Sequence, residues 1–229
     1  TEAGGQATFT VALTAQPGST VQVPLATSDA TEGTIDTQLL AFTQDNWNAP
    51  QTVTITGVDD AITDGPIAYT IDLGPTISGD GTWNAVDLPN VSVTNVDNDT
   101  AGFIVTPTSG LQTTEGGGTD TFTVVLASQP TADVTIAVSS SDATEATAAP
   151  ASLTFTDQNW NAPQTVTVTG VDDAIVDGDQ PFTIQLAPAV STDAAYSGLD
   201  PDDVSGINTD NDHGGFTVTP TTGLVTTES

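Results

Sequence analysis

The sequence predicts an all-β fold made of antiparallel β-sandwiches in tandem. Three observations support this: a long internal repeat, strict alternation of apolar and polar β-forming residues, and clusters of Gly, Pro, Asn and Asp between the alternating segments. No segment shows the 3.6-residue periodicity and capping residues of a helix. Sheets stacked face to face are the architecture that buries one face of each such strand.

The repeat has a period of 113 residues. The segment QDNWNAPQTVTITGVDDAITDG, which begins at Gln44, recurs as DQNWNAPQTVTVTGVDDAIVDG, which begins at Asp157. Likewise GFIVTPTSGLQTTE (102–115) recurs as GFTVTPTTGLVTTE (215–228). We therefore expect a domain over 1–100 that lacks its first strand, a complete domain over 101–213, and the first strand of a third repeat over 214–229.

The complete repeat contains seven predicted strands. In 119–127, for example, Phe122, Val124 and Leu126 alternate with polar or outward-facing residues and share one face. Seven short strands in about 100 residues are typical of an immunoglobulin-like sandwich. The predicted strands are 102–107, 119–127, 133–139, 152–156, 164–170, 181–187 and 203–208.

The charge of the chain is extreme. It has 30 Asp and Glu residues, no Lys or Arg, and a formal net charge of -30. Such a chain repels nucleic acids and anionic membranes, and it has no apolar run of membrane-spanning length, so we expect neither partner. It also has no Cys, which excludes disulfides and thiolate metal sites.

Ten acidic positions are shared by the two repeats, and eight of them fall in loops at one end of the predicted sandwich. Antiparallel strands reverse direction, so the loops after the first, third, fifth and seventh strands meet at that end. Many oxygen ligands in flexible loops suit Ca²⁺ better than Mg²⁺, whereas Zn²⁺ would require His or Cys. Turn-capping carboxylates and a solvated acidic surface are the alternatives. The shared pairs are Glu2/Glu115, Asp29/Asp142, Glu32/Glu145, Asp59/Asp172, Asp60/Asp173, Asp64/Asp177, Asp80/Asp193, Asp87/Asp200, Asp97/Asp210 and Asp99/Asp212.

Three motifs resemble the Calx-β domain family: TTEGGG (113–118), VDDAIVDGD (171–179) and NTDND (208–212). The resemblance covers both repeats. It implies an immunoglobulin-like sandwich that binds Ca²⁺ at one end, as in long arrays within bacterial surface proteins. The acidic segment reads DGDQ or DGPI here, where the family often has EGDE, so we expect one to three ions per domain. Carried onto this chain, the implied metal ligands are Glu2, Asp29, Asp59, Asp60, Asp64, Asp97, Asp99, Glu115, Asp142, Asp172, Asp173, Asp177, Asp210 and Asp212.

The predicted function is structural and extracellular. We expect an extender or fibre module of a surface adhesin, filament or matrix protein, whose partners are neighbouring repeats. A glycan-binding module is one alternative, because Trp83 and Tyr196 fall in matching loops at the end opposite the carboxylates. A subunit polymerised by donor-strand exchange is another, although the repetition of Thr1-Glu2 as Thr227-Glu228 favours a covalent array. Catalysis is not expected, since the paired carboxylates have no basic or His partner and the whole unit is duplicated.

Overall fold

A computed structural model describes residues 1–228 and contains 17 strands in that range. The chain divides into two compact units, which we name the first domain (Thr1–Ala101) and the second domain (from Gly102 onward). Within residues 1–228 there is no helix of the length and hydropathy needed to cross a lipid bilayer.

The second domain is a sandwich of two sheets. One sheet has the strand order β13-β15-β11-β9, and the other has the order β10-β17-β16-β12-β14. All of the pairings are antiparallel except that between β10 and β17. The strands are β9 (Phe103–Thr106), β10 (Leu111–Thr114), β11 (Thr119–Leu126), β12 (Val134–Ser140), β13 (Ala146–Ala149), β14 (Ser152–Phe155), β15 (Gln164–Gly170), β16 (Gln180–Leu186) and β17 (Val204–Thr209).

The alternation of the sequence decides which side chains form the core. In β11 the side chains of Phe122, Val124 and Leu126 are 1%, 0% and 2% exposed, while their neighbours face outward. Phe155 from β14 and Ile184 from β16 approach from the other sheet and are fully buried. Burial of these apolar faces is the main force that holds the two sheets together.

The first domain repeats this plan with fewer strands. Its sheets have the orders β1-β5-β3 and β4-β2-β6-β8, with β7 paired to β2. In this domain β1 and β8 are edge strands, whereas their counterparts β11 and β17 are covered by β9 and β10. The strands are β1 (Gln6–Val11), β2 (Val21–Thr27), β3 (Gly33–Ile35), β4 (Leu39–Phe42), β5 (Gln51–Gly57), β6 (Ile67–Leu73), β7 (Ile77–Ser78) and β8 (Val91–Asn95).

The predicted opening strand 102–107 corresponds to β9, but the sequence analysis did not predict β10, and the opening segment therefore forms two strands on different sheets. β9 pairs with β11, and β10 pairs with β17. Between them Pro107 cannot donate to a ladder, and Gly110 has a positive φ of 84°, so the chain turns and crosses the edge of the sandwich. The other six strands lie within two residues of their predicted bounds.

Two further differences concern short segments. β3 and β13 lie where the sequence predicted only loop, and each pairs with the long strand β5 or β15. Residues 214–228 form no strand in the described part of the chain, and Phe216 is 99% exposed, so the first strand of a third repeat stays a prediction.

The core of the second domain offers a direct test. Phe155→Ala removes a fully buried ring between the sheets, and we expect it to lower the free energy of unfolding by about 3–5 kcal/mol. The outward-facing Ser152→Ala in the same strand should change it by less than about 0.5 kcal/mol. Chemical denaturation followed by Trp fluorescence measures both. Equal effects would contradict the assignment of the inner face of β14.

Candidate metal centre

Four loops bring carboxylates together at one end of each sandwich, which we name the acidic end. In the first domain it comprises the turn at Glu2, the β2–β3 loop, the β5–β6 loop and the residues after β8. In the second domain the same four positions follow β10, β12, β15 and β17. The reversal of antiparallel strands collects these loops, as the sequence predicted.

The first carboxylate group of the first domain consists of Glu2, Asp97 and Asp99, each of which places one oxygen within 4.8 Å of the others. Glu2 is only 1% exposed. Its Oε2 atom and the Oδ2 atom of Asp99 are buried and have no hydrogen-bond partner among the described residues. Buried carboxylate oxygens without partners are costly, so this group has the chemistry that would suit a bound cation.

The second domain reproduces that group with Glu115, Asp210 and Asp212, again with oxygens within 4.8 Å. Glu115 is 2% exposed. Asp212 Oδ2 is buried and lacks a hydrogen-bond partner within residues 1–228, as its counterpart Asp99 Oδ2 does. The same oxygen lacks a hydrogen-bond partner in both domains, so this feature is a property of the repeat and not of one domain.

A second carboxylate group lies at each acidic end. It contains Glu32, Asp60 and Asp64 in the first domain, and Glu145, Asp173 and Asp177 in the second, with the same 4.8 Å limit. Desolvation by burial is the main cause that raises the pKa of Glu2 and Asp64, and repulsion from Asp60 and Asp97 adds to it in both cases, so the two groups in the first domain adjoin each other.

Backbone amides hold these carboxylates in place. Asp97 Oδ2 accepts a hydrogen bond from the Gly65 N–H at 2.7 Å, and Asp97 Oδ1 accepts one from the Asp99 N–H at 2.6 Å. Gly65 has a φ of 79°, a conformation that favours glycine, and this turns the β5–β6 loop toward Asp97. Asp60 Oδ1 accepts from the Ile62 N–H at 2.7 Å, which closes a tight turn.

The second domain has the matching bonds. The carboxylate of Asp210 accepts from the N–H groups of Gly178 and Asp212, both at 2.7 Å, and Asp173 Oδ1 accepts from the Ile175 N–H at 2.6 Å. The acidic ends of the two domains are therefore built by one hydrogen-bond scheme.

A buried asparagine links the second carboxylate group to the sheet. Asn95, 2% exposed at the end of β8, donates through Nδ2 to Glu32 Oε2 at 3.3 Å and to the Val58 carbonyl at 2.9 Å. Asn208 makes the equivalent bonds to Glu145 and Val171 at 3.4 and 3.1 Å. The asparagine leaves the other oxygen of each glutamate available to a cation.

The pKa values divide the carboxylates into two kinds. Desolvation, followed by the charges of nearby aspartates, raises the pKa of Glu2, Asp64 and Asp99. For Glu115 the N–H of Asn211, 3.0 Å from Oε2, acts to lower the pKa, but burial and repulsion from Asp210, Asp173 and Asp212 outweigh it.

In contrast, donated backbone hydrogen bonds lower the pKa of Asp97 and Asp210. The raised values report repulsion that a bound cation would remove.

Not all of the predicted ligands join the two groups. Asp29 Oδ1 accepts hydrogen bonds from the Thr31 N–H at 3.0 Å and its hydroxyl at 2.5 Å, which lowers the pKa of Asp29, and Asp142 is engaged by Thr144 in the same way. These two aspartates cap the turn that begins the loop.

Asp59 and Asp172 lie beside the first group rather than in it. Asp59 adds to the repulsion that raises the pKa of Asp99, and Asp172 Oδ1 accepts from Asn211 Nδ2 at 3.3 Å.

The predicted set omitted Glu32 and Glu145, which the structure places in the second carboxylate group. Both are shared acidic positions in the same loop as Asp29 and Asp142, so persistence across the repeats was a signal for them. Their burial, at 7% and 8% exposure, is the property that separates them from Asp29 and Asp142, and the sequence did not show it.

At the opposite end the shared carboxylates have a structural role. Asp80 accepts from the Gly18 N–H and Asp193 from the Thr131 N–H, both at 2.7 Å, which joins two loops. Tyr196 is 1% exposed and its hydroxyl bonds Ser128, so its ring is not available to stack on a ligand.

The family model of the Calx-beta domain matches residues 1–100 and 97–212. No curated protein sequence is significantly similar to the chain.

Among solved structures, the calcium binding domain CBD12 of CALX1.1 is 19% identical, with 87% of this chain and 77% of that chain covered and a TM-score of 0.38. CBD12 from CALX1.2 is 17% identical, with 83% and 77% covered and a TM-score of 0.38. Domains 4 and 5 of the S-layer protein SbsC are 17% identical, with 68% and 69% covered and a TM-score of 0.35. On the family match, which spans both domains, this chain belongs to the Calx-beta domain family and carries two copies of the domain in tandem.

Proposed function

We propose that this chain is a Ca²⁺-stabilised structural repeat of an extracellular surface, filament or matrix protein. The observation that carries the proposal is the pair of carboxylate groups at each acidic end, with buried oxygens that lack hydrogen-bond partners in the described chain. Calx-beta domains are Ca²⁺-binding repeats, and both domains retain the acidic loops.

The donor chemistry favours Ca²⁺ over other common ions. Each group supplies only hard carboxylate oxygens, from loops that can adjust to six to eight ligands. Mg²⁺ holds its own waters and prefers few carboxylates, and Zn²⁺ prefers nitrogen and sulfur ligands that the groups do not contain.

We propose two neighbouring ions in each domain. One is held by Glu2, Asp97 and Asp99 and the other by Glu32, Asp60 and Asp64, with the corresponding sets in the second domain. Carboxylates whose charges raise one another's pKa across the two groups are suited to shared or adjacent ions, since each divalent cation offsets two negative charges.

A structural role explains the duplication better than catalysis does. Both domains carry the same groups and the same hydrogen-bond scheme, and Asp99 and Phe103 are separated by only three residues. A repeat of this kind acts by spacing and joining its neighbours. Extracellular Ca²⁺ at millimolar concentration would keep such sites loaded, and a chain without Lys or Arg has no such side chain to offset the carboxylates in its place.

The proposal predicts that replacing Asp99 shifts the melting temperature in opposite directions without and with Ca²⁺. Asp99→Asn removes a buried charge, so in EGTA the melting temperature of the first domain should rise, by roughly 4–8 °C for each kcal/mol of repulsion relieved. In Ca²⁺ the same variant should melt below the wild type, because saturating Ca²⁺ at one hundred times its dissociation constant adds about 2.7 kcal/mol per site.

Asp45→Asn, an exposed change at the opposite end, is the control for Asp99→Asn and should shift neither melt. Calorimetric scans in EGTA, Ca²⁺ and Mg²⁺ measure all three proteins. A wild-type melt that does not respond to EGTA would overturn the proposal.

We expect substitutions of two acidic residues in one loop of the second domain to change the Ca²⁺ affinity to different extents. Glu145→Gln removes a carboxylate from the second group and should weaken Ca²⁺ binding by about tenfold or more, or about 1.4 kcal/mol. Asp142→Asn keeps the acceptor for Thr144 and should change the affinity by less than about twofold. Isothermal titration calorimetry measures both variants. A larger loss for Asp142→Asn would place the ligand at Asp142, where the family resemblance put it.

The pH dependence of stability should also reverse with Ca²⁺. Without it, Glu2, Asp64 and Asp99 have folded pKa values above the unfolded values of 4.5 and 3.8, so protonation favours the folded state and stability rises as pH falls toward that range. Below about pH 3.8 stability falls, because Asp97, whose folded pKa is lowered, must then be protonated.

In Ca²⁺ the trend between pH 7 and 4.5 should be the opposite, since protons displace the ion from its ligands. Thermal melts across this range with and without EGTA measure it. Parallel curves in the two buffers would show that these carboxylates do not hold the ion.

A further inference from the structure

Two adjacent positions of the β15–β16 loop distinguish the acidic end of the second domain from that of the first. The segment 177–180 reads DGDQ, whereas the equivalent segment 64–67 reads DGPI. Asp179 therefore stands where the first domain has Pro66, and Gln180 stands where it has Ile67. The carboxylates of the two groups match one for one between the domains, so these two differences change what surrounds the groups and not their members.

Asp179 forms one half of a reciprocal pair of hydrogen bonds. Its Oδ1 atom accepts from the N–H of Asp210 at 3.3 Å. In the other direction, the N–H of Gly178 donates to Asp210 Oδ2 at 2.7 Å. Asp210 is thus held through both its backbone and its side chain, and its carboxylate belongs to the first carboxylate group.

The first domain can form only one half of this pair. Gly65 donates to Asp97 Oδ2 at 2.7 Å, as Gly178 does to Asp210. Pro66 has no side-chain oxygen, so it cannot accept from the N–H of Asp97. The hydrogen bond that Asp179 accepts is therefore specific to the second domain.

Gln180 adds another bond that the first domain cannot form. Its Nε2 atom donates at 3.1 Å to the carbonyl of Asp177, a member of the second carboxylate group. Ile67 has no polar side-chain atom for this purpose. The β15–β16 loop is thus better fixed before an ion arrives, and ligands that are already ordered lose less conformational entropy on binding.

Asp179 also places a further negative charge beside the first carboxylate group. A unit charge within several ångströms of a divalent ion strengthens binding by about three- to tenfold, even in a medium as polar as water. The charge and the more ordered ligands act in the same direction, because both favour the ion-bound state of the second domain.

The position of Asp179, and not only its charge, sets it apart from the other acids that the repeats do not share. Asp202 likewise stands where the first domain has a proline, Pro89, but it is exposed in the loop before β17, at the opposite end. Within residues 1–228, Asp179 is the unshared acid whose carboxylate bonds a member of a carboxylate group.

We propose that Asp179 is a positioning residue that raises the Ca²⁺ affinity of the second domain above that of the first. This inference rests on the proposed function, since it concerns the affinity of the same carboxylate groups. Asp179 acts by fixing Asp210 in place and by adding its own charge, and Pro66 supplies neither contribution in the first domain. As the Ca²⁺ concentration falls, the first domain loses its ions while the second domain remains loaded.

Isothermal titration calorimetry of the full chain with Ca²⁺ tests the proposal. The wild type should show two classes of sites, and Asp179→Asn should weaken the tighter class by about three- to tenfold. The matched control Asp202→Asn removes the same charge at the opposite end and should change neither class by more than about twofold. Raising the ionic strength to about 1 M should reduce the effect of Asp179→Asn, because the Debye length then falls to about 3 Å.

The first domain provides the reverse experiment. Pro66→Asp should strengthen the weaker class by a similar factor. Pro66→Asn supplies an acceptor without the charge and should have a smaller effect.

A thermal melt in EGTA separates an effect on the ion from an effect on the fold. Asp179→Asn should not lower the melting temperature of the second domain, because the amide oxygen can accept the same bond and one repelling charge is gone. A lower melting temperature in EGTA would mean that Asp179 supports the fold itself, and the proposal would be overturned.

Failure of this inference and failure of the proposed function give different results. If no form of the chain takes up Ca²⁺, the proposed function is wrong. If the wild type binds Ca²⁺ in a single class, or if Asp179→Asn binds it as tightly as the wild type does, only the role of Asp179 is overturned.

Discussion

The repulsion among carboxylates at the acidic ends constrains the rest of the structure. Each close pair of like charges costs about 1–4 kcal/mol at the effective dielectric of a protein surface, and the chain has no Lys or Arg to offset it. Backbone N–H groups stabilise only some of the carboxylates, such as Asp97. Burial and mutual repulsion raise the pKa of Glu2, Asp64 and Asp99, and under the proposed function a bound cation would relieve that repulsion.

The opening segment couples sandwich closure to the carboxylate groups. In the second domain β9 covers β11, β10 covers β17, and the chain then delivers Glu115 directly to the first carboxylate group. At the end of β17, Asn208 contacts β10 through Thr113 and the second group through Glu145.

Much of the fold could be predicted because period-two alternation and turn residues are local properties. All seven predicted strands of the complete repeat lie within two residues of the bounds of observed strands. The crossing of the opening segment could not be predicted, since alternation over 102–114 is equally compatible with either sheet as partner. The short strands β3 and β13 depend on pairing with β5 and β15 rather than on their own sequence.

The sequence by itself determined that the chain has two copies of one all-β unit, and that acidic loops gather at one end of each. Both conclusions follow from the repeat and from the reversal of antiparallel strands. Only the tertiary structure decided which carboxylates form the groups. Asp29 and Glu32 share a loop and both recur, but Thr31 engages Asp29 while Asn95, distant in sequence, engages Glu32. Contacts between residues far apart in the chain made that selection, because burial and hydrogen bonding, not residue type, separate a metal ligand from a turn cap.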